Sequence, residues 1–361
     1  MSSPVILDWY AADLRTGIVL EELHSLTAAG ALSRRLGSST SLQADLALDG
    51  APPAWEEATT PGRTLLVAVD RVTQAPVWPG LLLTREGGSA PTAELGMASP
   101  EAYLDRRYTG SYTDVGQDQA VIMTGLGTAL TVDAPPFTFD TQPTGTAADY
   151  SVLDGDDRTI LSVWQELMGL EGGPEWTVDV AWADAAHTRF VLPIRIRHQL
   201  GIQSVVPEPV FDFPGNTTAY SVTESYESGK GGNQVLAWGD GEGAGRLHSG
   251  VHTAQDLLDA GWPRWVHRFT PASGLTDPAA LDRHAAQALA QMRTGATAWT
   301  LNATASRAPR LGTDWGLGDA IRIQVTHSPR HPSGIDVVAR AYGWDLDPAA
   351  DTVTPVLLQE D

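Results

Sequence analysis

Residues 41–48, Ser41-Leu42-Gln43-Ala44-Asp45-Leu46-Ala47-Leu48, place Leu42, Ala44, Leu46 and Leu48 on one face and Gln43 and Asp45 on the other. A period of two is the mark of a strand with one face buried. The same grammar extends outward. Upstream, Val5–Tyr10 and Gly17–Leu20 are β-rich runs joined by Asp13-Leu14-Arg15-Thr16, a hairpin signal. Downstream, Thr64–Val69 and Val77–Thr84 are each bounded by Pro or Gly. Strands of this length and spacing predict a small barrel or sandwich.

The pattern changes at Ser99-Pro100-Glu101, which reads as an N-cap, a first-turn proline and an acidic first turn, opening a short helix through Tyr103, Leu104 and Arg107. A second helix is expected from Asp118 through Val121, Ile122 and Leu126. Residues 131–149 read as a long connection. Asp156 or Asp157 is expected to cap a firmer helix whose stripe is Ile160, Leu161, Trp164, Leu167 and Met168. Trp176, Val178, Val180 and Trp182 then alternate, and Phe190, Leu192, Ile194 and Ile196 answer them as a hairpin. In the last third, strands are expected at Ala219–Val222 and Val235–Trp238, with a helix from Thr276-Asp277-Pro278 to the stop at Gly295. Strands around Trp299–Leu301, Ile321–Val325, Val337–Tyr342 and Val353–Leu358 follow.

Composition narrows the function. The 361 residues carry 23 Lys+Arg against 44 Asp+Glu, a net charge of −21, and every third of the chain is acidic. Phosphate neutralisation needs a basic surface, so nucleic-acid binding as a main activity is disfavoured. With no cysteine there are no disulfides, thiolate metal sites or cysteine nucleophiles. The N-terminus lacks a basic start followed by an apolar run, and no stretch reaches 18 apolar residues, so neither a signal peptide nor a membrane span is expected.

The chemical motifs favour bland readings. Gly239-Asp240-Gly241-Glu242-Gly243-Ala244-Gly245 fits the dinucleotide pattern formally. It puts carboxylates where backbone amides should meet a pyrophosphate, and no helical pattern follows to lend its dipole. His248/His252 and His327/His331 are interrupted by Gly250 and Pro329, which removes the helical geometry that aims two rings at one metal. Asp154-Gly155-Asp156-Asp157 lacks the ligand pattern of a calcium loop. No nucleophile elbow or P-loop occurs. Trp9, Trp78, Trp176, Trp182, Trp238, Trp299 and Trp344 lie in strand patterns and read as core or interface. Trp262-Pro263-Arg264-Trp265 is a dense aromatic loop, read first as a buried plug and second as a partner anchor. No catalytic, cofactor-binding or metal-binding residue is assigned, and no cofactor is expected.

Several stretches together carry a family resemblance: Pro61-Gly62-Arg63-Thr64 before a strand, Trp78-Pro79-Gly80-Leu81-Leu82-Leu83-Thr84, Ala98–Tyr108, Asp118-Gln119, Trp164-Gln165-Glu166-Leu167, and Leu317–Ile323. The chain resembles the phage tail-hub proteins, the Tal-type baseplate hub or minor tail proteins of long-tailed actinobacteriophages. The likeness is diffuse, spans most of the chain and includes no catalytic signature.

The resemblance implies a mainly β fold with a few helices (α+β): two tail-tube-like β-barrels plus a smaller helix–hairpin domain. The expected division is a first barrel over 1–98, an outer helix and β-hairpin domain over 99–199, and a second barrel with one long helix over 200–361. It implies a non-enzymatic structural protein of the virion tail tip, made in the host cytoplasm. As a homotrimer it would form a threefold ring adapting the sixfold tail tube to the tip. Its implied partners are the distal tail protein and tail tube, the tape measure protein, and downstream tip or fibre proteins. DNA would pass through the channel without specific binding, and Asp and Glu are expected to outnumber Arg on the channel-facing wall. Since the chain stops near Asp361, an appended peptidase, lysin or fibre domain is not expected. The alternatives are a receptor- or carbohydrate-binding tail module, and a hydrolase with an unrecognised carboxylate pair.

Overall fold

The computed structural model describes residues 4–170, 172–239, 243–271 and 278–358. The fold is mainly β with a few helices, as expected. The chain divides into two compact units, residues 1–220 with 300–361, and residues 221–299.

The larger unit contains a seven-stranded antiparallel sheet in the order Val19–Glu22, Leu7–Asp13, Thr64–Asp70, Pro76–Glu86, Thr92–Ala98, Ser41–Ala47, Leu26–Ala28. Ser41–Ala47 obeys its alternation, with Leu42, Ala44 and Leu46 buried and Gln43 and Asp45 exposed. Thr64–Asp70 is central and buried at every position, so its TLLVAVD sequence is apolar throughout. The hairpin turn forms as read: Asp13 Oδ1 accepts from the amides of Arg15 (3.2 Å) and Thr16 (2.9 Å). Gly17 has φ +74°, and a Cβ there would lie 2.1 Å from Phe190 O, so the close approach of this turn to the later hairpin requires glycine.

The segment after Ala98 packs onto this sheet in one continuous core. Leu65, Val67, Val69 and Leu81 meet Leu104, Ile122, Met123, Val163, Trp164, Trp176 and Ile194. Trp164 stands edge-on to Trp176 at 5.1 Å and donates from Nε1 to Met123 O at 3.0 Å. The helices are Glu101–Leu104, Gln119–Leu126 and Ile160–Met168. Glu175–Val178 pairs antiparallel with Phe190–Arg197, completing the expected hairpin.

Three local expectations are corrected. Thr159, not Asp156 or Asp157, caps the Ile160–Met168 helix, accepting from Ser162 N at 3.2 Å; the acidic run forms its own turn over Asp154–Asp156. Ser99 is not a cap: its Oγ accepts from Thr40 N at 2.9 Å, tying the helix to the sheet margin. Residues 131–149 are not all connection, because Phe137–Thr141 pairs in parallel with Phe190–Arg197 and Ala147–Val152 pairs with Tyr112–Asp118.

A second seven-stranded sheet runs Val210–Phe213, Ala320–Val325, Ile335–Asp347, Thr352–Leu358, Ala296–Thr304, Thr217–Ser225, with Leu32–Arg35 also pairing to Ile335–Asp347. Its thirteen-residue strand Ile335–Asp347 thus pairs along one edge with Ala320–Val325 and, further on, with Leu32–Arg35.

The smaller unit holds a three-stranded sheet in the order His252–Thr253, Gln234–Ala237, Val266–Phe269, and the helix Pro278–Met292. Its core is small: Val235, Ala237, Leu281 and Ala285, edged by Phe269, Ala288 and Leu289. The expected helix start at Thr276-Asp277 lies outside the described residues; the stop at Gly295, φ +81°, holds. Among the described residues no helix is long and apolar enough to cross a membrane.

Candidate functional site

The larger unit is braced by buried ion pairs that the sequence does not advertise. Arg34 Nη2 donates to Glu101 Oε1 (2.9 Å), Thr177 Oγ1 (3.0 Å) and Val178 O (2.6 Å), while Val178 N donates to the same Glu101 oxygen at 3.2 Å. Arg34 is 3% exposed and Glu101 0%. The pair joins a strand of the second sheet to the helix that follows the first sheet and to the hairpin. Arg340 pairs with Glu175 through both Nη atoms, 2.6 Å for Nη1, and donates from Nε to Gly318 O at 2.9 Å. Arg310 Nη2 reaches Asp70 Oδ2 at 2.7 Å. Low dielectric strengthens each contact, and removing one partner would strand a buried charge. These contacts link strands of the second sheet to the hairpin and to the helix that follows the first sheet.

Asp118 shows the same economy at a helix end. It caps Gln119–Leu126 by accepting from Ala120 N (2.9 Å) and also holds the amides of Thr144 (3.1 Å) and Gly145 (2.8 Å). Burial alone would raise its pKa, but the amides of Thr144, Ala120 and Gly145 outweigh it and hold the carboxyl below its ordinary value.

The histidine pairs do not converge. His248 Nδ1 bonds Ser249 O at 2.7 Å and the ring stands edge-on to Trp238. His252 Nε2 meets Asp282 Oδ1 at 2.9 Å. His327 Nδ1 bonds Pro332 O at 2.9 Å, and His331 Nδ1 bonds Tyr220 Oη at 2.7 Å. Each ring has its own structural partner. Among the described residues no group of three or more His, Asp or Glu side chains is placed to hold a metal. Asp240, Gly241 and Glu242 of the glycine loop lie outside the described residues. The segment after it, from Arg246 to Val251, is not helical, and Arg246 Nε donates back to Gly239 O at 2.7 Å.

The Trp262-Pro263-Arg264-Trp265 loop is not a buried plug. Trp262 is 42% exposed and Trp265 50%. The fully buried Asn233 fixes the loop from below: its Nδ2 donates to Pro263 O (2.9 Å), its Oδ1 accepts from Trp265 N (2.8 Å), and its own N–H donates to Trp265 O (3.0 Å). The buried demand is met by backbone and amide, so both indoles are free to face outward. Tyr226 lies between them, with ring centroids 5.4 Å from Trp262 and 5.9 Å from Trp265. Beside Tyr226 and Trp265 opens a cleft of about 550 Å³. Sequence reading flagged the aromatic density; the exposure follows from Asn233, thirty residues away, which no local pattern reveals. Of the strand tryptophans, Trp9, Trp78, Trp176, Trp299 and Trp344 are buried, and Trp182 and Trp238 are half-buried.

With this geometry in hand, comparison with solved structures places the fold among tail proteins. The chain is similar to a tail protein from Neisseria meningitidis MC58, with a TM-score of 0.61, 13% identity, and 99% of this chain and 97% of that one covered. It is similar to the 43 kDa tail protein of prophage MuSo2 from Shewanella oneidensis, with a TM-score of 0.63, 11% identity, and 98% of both chains covered. It also matches the E. coli c3393 protein, a type VI secretion component described as similar to T4 tail proteins gp27 and gp5, with a TM-score of 0.50, 12% identity, and 94% and 77% covered. At such identities the likeness establishes the fold. No protein-family profile matches the chain, and no curated protein matches its sequence.

Proposed function

We propose that the chain is a structural hub of a phage tail tip, of the Tal type seen in actinobacteriophages. The observation that carries this reading is a fold shared with tail proteins over essentially the whole chain, 99% of it in one comparison. In this reading the sheets of residues 1–98 and 200–361 serve as two tube-like bodies and residues 99–199 dress the outside. Three copies close a ring, each giving two sheet bodies, so that six face the sixfold tube and three the tip. The ring meets the distal tail protein, tail tube and tape measure protein on one side and tip or fibre proteins on the other. It lines the DNA path without binding DNA specifically and performs no catalysis.

The buried Arg–carboxylate braces support the reading, because a ring that transmits force must keep its two sheets in fixed register. The acidic balance supports it too. Carboxylates facing the axis would repel the duplex over about one Debye length, ~8 Å at physiological salt, where a basic wall would bind it. Native mass spectrometry of the purified chain is the test. A trimer is expected, and a monomer, dimer or hexamer at every concentration would refute the ring.

A further inference from the structure

We propose that the smaller unit, residues 221–299, binds a neutral oligosaccharide in the cleft beside Tyr226 and Trp265. The inference goes beyond the hub reading and does not rest on it, since the cleft lies wholly within this unit.

Four observations select the ligand. First, the platform is rigid and outward-facing: Trp265 is half-exposed yet held at its backbone on both sides by Asn233. Second, Tyr226 is positioned by a glycine. A Cβ on Gly231 would lie 2.5 Å from the Tyr226 ring, and Tyr226 Oη donates to Arg293 O at 3.2 Å. Third, the polar part of the lining is dominated by hydroxyls and carboxylates, Thr223, Ser225, Ser228, Glu224 and Glu227, beside Val266 and the imidazole of His267. Fourth, no described lining residue is Lys or Arg, and the neighbouring Lys230 pairs with Glu227 at 2.8 Å.

A pyranose matches this set. One face of the ring presents polarised C–H bonds, which seat on the negative face of an indole or phenol. Its rim presents hydroxyl donors for the carboxylates and partners for the serine and threonine hydroxyls. The volume falls within the ~300–1,000 Å³ of small-ligand sites. An anionic ligand would approach two carboxylates, Glu224 and Glu227, in a cleft whose described lining holds no Lys or Arg. A basic peptide would gain little steering, because the unit carries six basic and eight acidic residues, net −2, and Glu227 is paired with Lys230.

The test is an array of short neutral oligosaccharides probed with the full chain, followed by tryptophan-fluorescence titration of the strongest hit. Binding is expected that persists at high salt. Trp265→Ala should weaken it by about tenfold or more, while Trp265→Phe, which keeps a stacking ring, should lose less. Gly231→Ala, which displaces Tyr226, should also weaken it. Circular dichroism of each variant confirms the fold. An array with no neutral hit, binding indifferent to Trp265→Ala in a folded variant, or salt-sensitive capture of basic peptides in place of sugars would overturn the proposal. Any of these outcomes leaves the oligomeric state of the chain, and with it the hub reading, to be judged separately.

Discussion

The two units of this chain use charge in opposite ways. Residues 1–220 and 300–361 hold 17 basic and 36 acidic residues, net −19, whereas residues 221–299 hold 6 and 8, net −2. The larger unit sinks arginines into its interior as braces, Arg34–Glu101, Arg340–Glu175 and Arg310–Asp70. In the smaller unit the pairs Lys230–Glu227 and Arg293–Asp256 sit at the surface, where screening leaves little energy. The larger unit pairs a broad apolar core with these braces, while the apolar core of the smaller, among the described residues, is a cluster of four buried side chains. The difference separates an acidic unit with buried ion pairs from a near-neutral unit that displays aromatic rings.

Breaking a brace should give the largest effect. Glu101→Ala leaves Arg34 buried and unpaired and should cost about 3–5 kcal/mol in urea denaturation. Replacing both partners with apolar residues should recover much of that loss, which a purely catalytic or surface role for the pair would not foresee. Core truncation in the smaller unit comes next. Leu281→Ala should cost about 2–5 kcal/mol, and hydrogen exchange should report it at Gln234–Ala237 while Thr64–Asp70 stays protected. Equal loss of protection in both would dissolve the distinction between the units.

Capping predicts a smaller change: Thr159→Ala should cost about 1 kcal/mol, and Asp157→Asn nearly nothing. The pH dependence is gentler still and lies in the larger unit. Asp118 has a depressed pKa, so its stabilisation is present above the ordinary carboxylate value of 3.8 and fades as pH falls through the lower folded value. Asp118→Asn should flatten that acid limb. At the alkaline end, burial pushes Tyr150 up to about 12, and burial with the hydrogen bond to Asp114 does the same for Tyr112. Their contribution is complete below pH 10 and is lost as pH rises toward 12, so Tyr150→Phe should blunt the alkaline fall in the denaturation midpoint.

Much of the strand content was legible because it is written in local periodicity. Ser41–Ala47 alternates and Thr64–Asp70 is apolar throughout, and both stand where they were expected. Leu32–Arg35 and Phe137–Thr141 were not legible, since each owes its extended form to a partner strand far along the chain, Ile335–Asp347 and Phe190–Arg197. The braces were hidden for the same reason. Glu101 reads only as part of an acidic first turn, nothing in the local pattern singles out Arg34, and only the folded chain brings the two together. At the aromatic loop, composition announced Trp262 and Trp265, but their exposure depends on Asn233.

The most direct measurement is the density of the assembled tail tip at a resolution that traces strands. The account predicts three copies of the chain around the axis, with sheets of the acidic unit facing the channel and Asp and Glu outnumbering Arg on that wall. A different copy number, or a channel wall that is neutral or basic while the acidity lies outside, would contradict it.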